Sequence, residues 1–438
     1  MNLNLFKYEL KHFYRNKAKF YSYIVFMFLS LYALINVYNI KEKQLDTINE
    51  IYNKQEQERL KVINWYENNQ TGPDDKSWVN INDPFWAILY NPTYVIKEPS
   101  ELYPLGIGQS EQYGFYKQTK RWSSTYDTDM AEEISNYERL INGSVDFSFL
   151  IIFLLPVLYI ILTYNINTLE KDLYFHKLIS VQCIKVKKWL ISRLLFYLTL
   201  ILVSINSLII TVGLSSGGFE IMGQILKLIF LSNIYIFSFS IIFFFINIKS
   251  KNSSSSSFKM ISIWMIFCVI IPGSVHQYAN YKYPGNFMTD FLDTNRKETY
   301  EIFKLDNIDL HNLLIELYPS LENLDNFKDQ NLKEQAIRRS ISAIINQMNI
   351  HAANEIEIQN ENKNKLIKSS YIYNPVSFVQ NLWNSYTETD YYAYKRYRFQ
   401  VQKSITVRNE LMLEEIWNSK VSDKKTYLKY IQTLKLDN

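Results

Sequence analysis

The chain has 438 residues, 47% of them hydrophobic and 21% charged, with a formal net charge of +4. Its two cysteines exclude a disulfide framework, and its near-neutral net charge hides an uneven distribution along the chain. A soluble chain of this length suggests two or three domains, but here the apolar residues collect in five runs, at 20–38, 147–164, 194–212, 228–248 and 258–275.

About 20 apolar residues cross a bilayer, and charge is nearly absent from the middle of each run. The expected fold class is therefore mainly α: a polytopic helical membrane protein with about five transmembrane helices. Residues 1–19 carry Leu5, Tyr8 and Phe13 with Lys7, Lys11, Arg15 and Lys17 between them. That pattern predicts a basic amphipathic helix lying along a membrane surface, with membrane lipids as its partner. The run at 20–38 is longer than the core of a signal peptide and no small-residue cleavage site follows, so it is read as an uncleaved first span.

Residues 39–146 begin with a predicted helix over 44–69, followed by a turn at Thr71-Gly72-Pro73-Asp74. A Pro-, Gly- and aromatic-rich stretch then predicts an irregular packed connection, with a helix resuming over 128–141 before the second span. Residues 165–193 form a Lys-rich loop, 213–227 a short loop, and 249–257 a Ser-rich loop read as a flexible turn. The fifth run holds Pro272 and Gly273 near its end. Beyond it, 276–438 is polar but patterned. Helices are predicted over 331–350, over 376–386 after Pro375, and over 390–418. The last has a stripe of Tyr394, Tyr397, Val401, Ile405, Met412 and Ile416 that is interrupted by Arg408. Residues 39–146 and 276–438 are expected to pack together as a largely helical outer domain.

Orientation follows from charge. The basic segments 1–19, 165–193 and 249–259 hold fourteen Lys and Arg against three acids, whereas 41–146 holds eleven against eighteen. The excess of Lys and Arg places those three segments and the N-terminus in the cytoplasm. Alternation then places 39–146, 213–227 and everything after 275 outside, in a bacterial plasma membrane.

The motifs of catalysis are missing. There is no GxxxxGK[ST], HExxH or CxxC, and His12, His176, His276, His311 and His351 lack metal-ligand spacing, so neither an enzyme nor a metal site is expected. The segment TETDYYAYKRYRF mixes aromatics with Lys395, Arg396 and Arg398, but it lies on a patterned outer helix. It is read as a packing face with a basic flank, and no nucleic-acid partner is expected. Lys227, at a span end, can snorkel. No acid sits mid-span, so energy for any transport should come from elsewhere.

Four blocks of sequence carry a family resemblance: LFKYELKHFYRNK, EPSELYPLGIGQSEQYG, the second span with TLEKDLYFHKLIS after it, and YNPVSFVQNLWNSYTETDYYAYKRYRFQVQKSITVRNEL. Together they resemble the permease subunit of an ATP-binding-cassette transporter of the type-2 exporter class, in its poorly characterised subfamily with large extracytoplasmic loops. The resemblance implies two permease subunits, as a homo- or heterodimer, beside cytoplasmic ABC ATPase subunits. ATP and Mg would bind the ATPase and no cofactor would bind this chain. By position, the resemblance implies an interfacial helix with Glu9, Arg15 and Lys17. It also implies an ATPase-coupling loop that begins at Glu170, Lys171 and Asp172 and makes contact through Leu178, Ile179 and Ser180.

The class has six spans, whereas VSDKKTYLKYIQTLKLDN after the outer region cannot cross a bilayer, so five are expected. Val181-Gln182-Cys183 stands where the family often has proline. The expected function is coupling ATP hydrolysis to export of, or work on, a substrate. The alternative expectation is a membrane-anchored outer binding, scaffold or sensor protein.

Overall fold

The computed structural model describes residues 3–126, 145–175, 178, 179, 181, 186–284, 287–325, 327, 329–418 and 420–435. The helix expected over 128–141 lies outside them. The described chain is mainly helical, and four of its helices are long and apolar enough to cross a membrane.

Helix α1 (Leu3–Arg15) ends at Asn16, whose side chain accepts from Lys19 N at 3.2 Å and so caps the next helix. α2 (Lys17–Glu67) runs unbroken for 51 residues, about 75 Å at 1.5 Å per residue. The sequence reading split this stretch into a span and a separate helix. Between Lys17 and Glu67, however, polarity changes without any Gly or Pro to break the ladder. α2 therefore carries the chain from the apolar bundle directly into a polar helical head.

In the head, α3 (Pro84–Leu89) starts on an Asp83 cap and leads to β1 (Thr93–Ile96). β1 pairs antiparallel with β2 (Tyr116–Thr119), Thr93 opposite Thr119 and Ile96 opposite Tyr116. This hairpin lies inside the stretch that composition marked as irregular. Four-residue strands are too short for alternation to stand out.

α4 (Phe147–Thr163) is the shorter apolar helix and the most buried of the bundle. It contains a π turn, Leu150–Leu154, just before Pro156. Pro156 has no N–H to give the Ile152 carbonyl. The Tyr235 hydroxyl donates to that oxygen at 2.6 Å, and Trp264 Nε1 donates to the Phe153 carbonyl at 2.9 Å. Two neighbouring helices thus satisfy backbone that a lipid-like interior would leave stranded.

A short α5 (Leu169–Asp172) follows, then α6 (Val186–Gly217), α7 (Met222–Lys249) and α8 (Ser253–Lys282). The Ser-rich segment is not a flexible turn: Ser253–Ser257 open α8, with Asn252 capping Ser255 N at 2.8 Å. Serine is tolerated in the first turns of a helix, and a good cap decides its conformation. α8 also continues past 275, its π turn at Ile266–Ile270 preceding Pro272 much as in α4.

The head is completed by α9 (Phe287–Lys304), α10 (Asn307–Leu317), α11 (Gln330–Ser369), α12 (Pro375–Tyr386), α13 (Tyr391–Asn418) and α14 (Lys424–Leu434). Val62, Phe85 and Ile88 share one core with Leu310, Ile344, Trp417 and Tyr427. Arg408 does not interrupt the stripe of α13. It is itself buried and donates to the carbonyls of Ile88 (3.0 Å) and Asn91 and to Thr93 Oγ1 (2.9 Å), stitching α13 to the α3–β1 turn. Burial pushes its guanidinium down to about 10, which leaves it charged at neutral pH. In the TETDYYAYKRYRF segment, Arg398 and Lys395 pair with Glu357 (2.5 Å) and Glu361 (2.8 Å) of α11. Head and bundle join through α12, where buried Trp383 donates to the Leu105 carbonyl at 2.9 Å and packs on Phe147.

Candidate functional site

At the end of the bundle remote from the head, five pieces of chain bring charged groups together in its interior. Glu9 comes from α1, Lys19 from the first turn of α2, Glu170 from α5 and Arg193 from α6, while the C-terminal end of α4 supplies carbonyls. Glu9 is 0% exposed and Arg193 2%. Arg193 sits with its Nε 2.5 Å from Glu9 Oε1, while its Nη1 donates to Glu170 Oε1 and, at 2.5 Å, to the Ile166 carbonyl. The Trp189 ring packs against its guanidinium at 4.7 Å. Lys19 Nζ donates to the Leu162 carbonyl at 2.6 Å and lies 4.7 Å from the Tyr197 ring.

Two carboxylates face two basic groups here, so that the buried Glu9, Lys19 and Arg193 lie beside opposite charge and the half-buried Glu170 completes the set. One guanidinium ties three segments: the surface helix α1, the stretch after α4, and α6. The planar fork of Arg suits this role, since a Lys ammonium cannot bind two carboxylates in fixed directions. His12, on α1, is held below its usual range by burial and then by Lys19 and Arg193, so it adds no further charge at neutral pH.

The segment leaving this clasp is built differently. Lys171 Nζ donates to the Ser250 carbonyl at 2.7 Å, and Asp172 Oδ2 accepts from Ser253 N at 3.1 Å, so α5 is also pinned to the α7–α8 turn. Thr168 and Ser253 hydroxyls meet at 3.0 Å beside it. Beyond Asp172 the chain presents large apolar side chains to solvent: Leu173, Tyr174, Phe175, Leu178 and Val181 are all exposed, Tyr174 by 91% and Val181 by 86%. Tyr174 turns the chain with a φ of 63°, a conformation that costs a bulky residue energy and is kept only where surroundings demand it. Clustered exposed apolar groups next to a rigid charged anchor are the usual mark of a contact surface.

The residues singled out from sequence therefore separate into three kinds. Glu9 and Glu170 meet at Arg193. Lys171 and Asp172 fasten the loop to the α7–α8 turn, the first half-buried and the second at the surface. Leu178 is exposed and Ile179 half-buried, while Ser180 lies outside the described residues. Arg15 and Lys17 are exposed on either side of the Asn16 cap and take no part in the clasp.

Arg193 and Lys19 were visible in the sequence only as basic flanks of spans. The available signal was their position at the first turn of an apolar run, where a long cation can turn inward as readily as outward. No group of three or more His, Cys, Asp or Glu able to hold a metal ion exists among the described residues. No protein-family model matches the chain, nor does any curated protein or solved structure.

Proposed function

We propose that this chain is an integral-membrane permease subunit of an ATP-binding-cassette transporter, working with a separate cytoplasmic ATPase. In this reading α2, α4, α6, α7 and α8 cross the membrane, the clasp faces the cytoplasm, and the head lies outside. A second permease subunit and lipid cover the exposed apolar faces of the spans. ATP and Mg²⁺ belong to the partner, because the sequence has no P-loop; no catalytic role is assigned to this chain.

The observation that carries the reading is the pairing of exposed apolar side chains, Leu173, Tyr174, Phe175, Leu178 and Val181, with an ionic anchor immediately before them. A force applied to these side chains cannot be absorbed locally. Glu170, Lys171 and Asp172 pass it to α6 and the α7–α8 turn through direct bonds, and Arg193 relays it from Glu170 to Glu9 of α1. Motion of a docked ATPase would thus reach four helices together.

The test is co-purification of the full chain from its native membrane. The reading expects a P-loop ATPase with the wild-type chain, and its loss with Leu178→Asp. If no ATPase accompanies the wild-type chain, the reading fails. One observation favours a second reading, a membrane-anchored binding protein: the head has an extensive core of its own, from Val62 to Leu434. That reading expects an extracytoplasmic partner to co-purify, and Leu178→Asp to leave it bound.

A further inference from the structure

At the other end of α4 a cavity of about 280 Å³ lies between the loop after β1, the start of α4 and α12. Its walls divide by chemistry. Val145, Phe149, Ile152 and Phe153 form an apolar side, the last two within the π turn. Glu111, Asp146, Ser148, Gln380 and Asn384 form the polar side.

The acceptors of the polar side are unevenly served. Asp146 is provided for: it accepts from Ile107 N (3.0 Å), Ser148 Oγ (2.8 Å) and Phe149 N (2.7 Å), as the cap of α4. Glu111 Oε1 and Asn384 Oδ1 are not. Both oxygens are buried and neither has a hydrogen-bond partner, and Asn384 as a whole is only 9% exposed. Burial raises the Asp146 carboxyl above its usual range, and Glu111 is near enough to raise it further. Buried acceptors normally find donors, so two left open beside a second carboxylate and a cavity ask for a group that brings them. A positive charge would relieve the repulsion between the carboxylates as well.

The geometry points to a binding site for an amphiphilic organic cation, whose ammonium donates to Glu111 Oε1 and the Asn384 amide oxygen while its apolar part lies on Phe149, Ile152 and Phe153. π turns interrupt the regular ladder of a helix and recur at functional sites, and here the turn sets two of the apolar contacts. The site stands apart from the ATPase reading, since it involves neither the clasp nor the loop beyond it. Either can fail while the other holds.

The experiment is calorimetric titration of hexylammonium into the full chain in nanodiscs of neutral phosphatidylcholine, with hexanol as the uncharged probe. The expected result is saturable hexylammonium binding, with hexanol at least about tenfold weaker for want of the charge-assisted hydrogen bonds. Glu111→Gln should weaken the amine by about tenfold or more while leaving hexanol unchanged. Val145→Trp, at an exposed position on the rim, should block both probes without touching the polar groups. Equal binding of the two probes would overturn the proposal, as would an unchanged amine affinity in a Glu111→Gln chain that melts like wild type. Binding of Mg²⁺ that excludes hexylammonium would overturn it too.

Discussion

Replacing Arg193 by Gln leaves the Glu9 carboxylate, in a position that is 0% exposed, without its contacting cation, because the nearby Lys19 ammonium donates to the Leu162 carbonyl and not to Glu9. Removing one partner of a buried ion pair costs about 3–5 kcal/mol, mostly the penalty of the stranded charge. Glu9→Gln should cost less, because Arg193 keeps Glu170 as its counter-charge. The double variant buries two neutral amides, so its cost should fall below the sum of the singles by about 1–3 kcal/mol. The assay is equilibrium unfolding in mixed micelles, followed by circular dichroism. Hydrogen exchange at residues 169–175 serves as a local readout and should speed up in Arg193→Gln, because α5 loses its tie to α6. Additive costs, or an Arg193→Gln chain within about 1 kcal/mol of wild type, would refute the idea that the clasp holds these segments together.

Arg408→Met should destabilise the head by about 1–3 kcal/mol, since the carbonyls of Ile88 and Asn91 lose their donor inside the core; guanidinium unfolding of the full chain checks this. Tyr235→Phe removes the hydroxyl that donates to the Ile152 carbonyl and should cost about 1–3 kcal/mol in the same assay, with Ser238→Ala, at an exposed position of α7, as a mild control. Glu357 gives a pH dependence. Burial alone would raise its carboxyl, but Arg398, Tyr126 and Tyr391 outweigh it and hold it below the ordinary value of 4.5. A depressed carboxyl contributes stability above that value and loses it as pH falls through the lower, folded one. Thermal melts should therefore drop more steeply below pH 4.5 for wild type than for Glu357→Gln, and equal slopes would contradict the pairing.

How much of this was legible in the sequence depends on the range of the interaction. The apolar runs and the stripe of α13 are periodic over many residues, so they could be read directly. The unity of α2 was hidden by its change of polarity, which mimics a boundary although no breaker residue is present. The helical serines of α8 depended on a single cap, Asn252, whose effect outweighed a composition typical of linkers.

Arg408 looked like a flaw in a stripe because its acceptors lie 315 to 320 residues away in sequence. The clasp was half-legible. Glu9 and Glu170 could be picked out by position, but nothing local shows that Arg193, at the edge of an apolar run, turns inward to meet both. Leu178 was legible as an apolar residue in a polar loop. Its exposure, together with that of Leu173, Tyr174 and Phe175, emerges only from the fold.

The most direct test of the central claim is photo-cross-linking from position 178 in native membranes, with the adduct identified by mass spectrometry. The account predicts a covalent adduct with a P-loop ATPase, formed in the wild-type background and lost when Glu170→Arg disrupts the anchor behind the loop. Adducts to lipid alone, with the chain intact in its membrane, would contradict it.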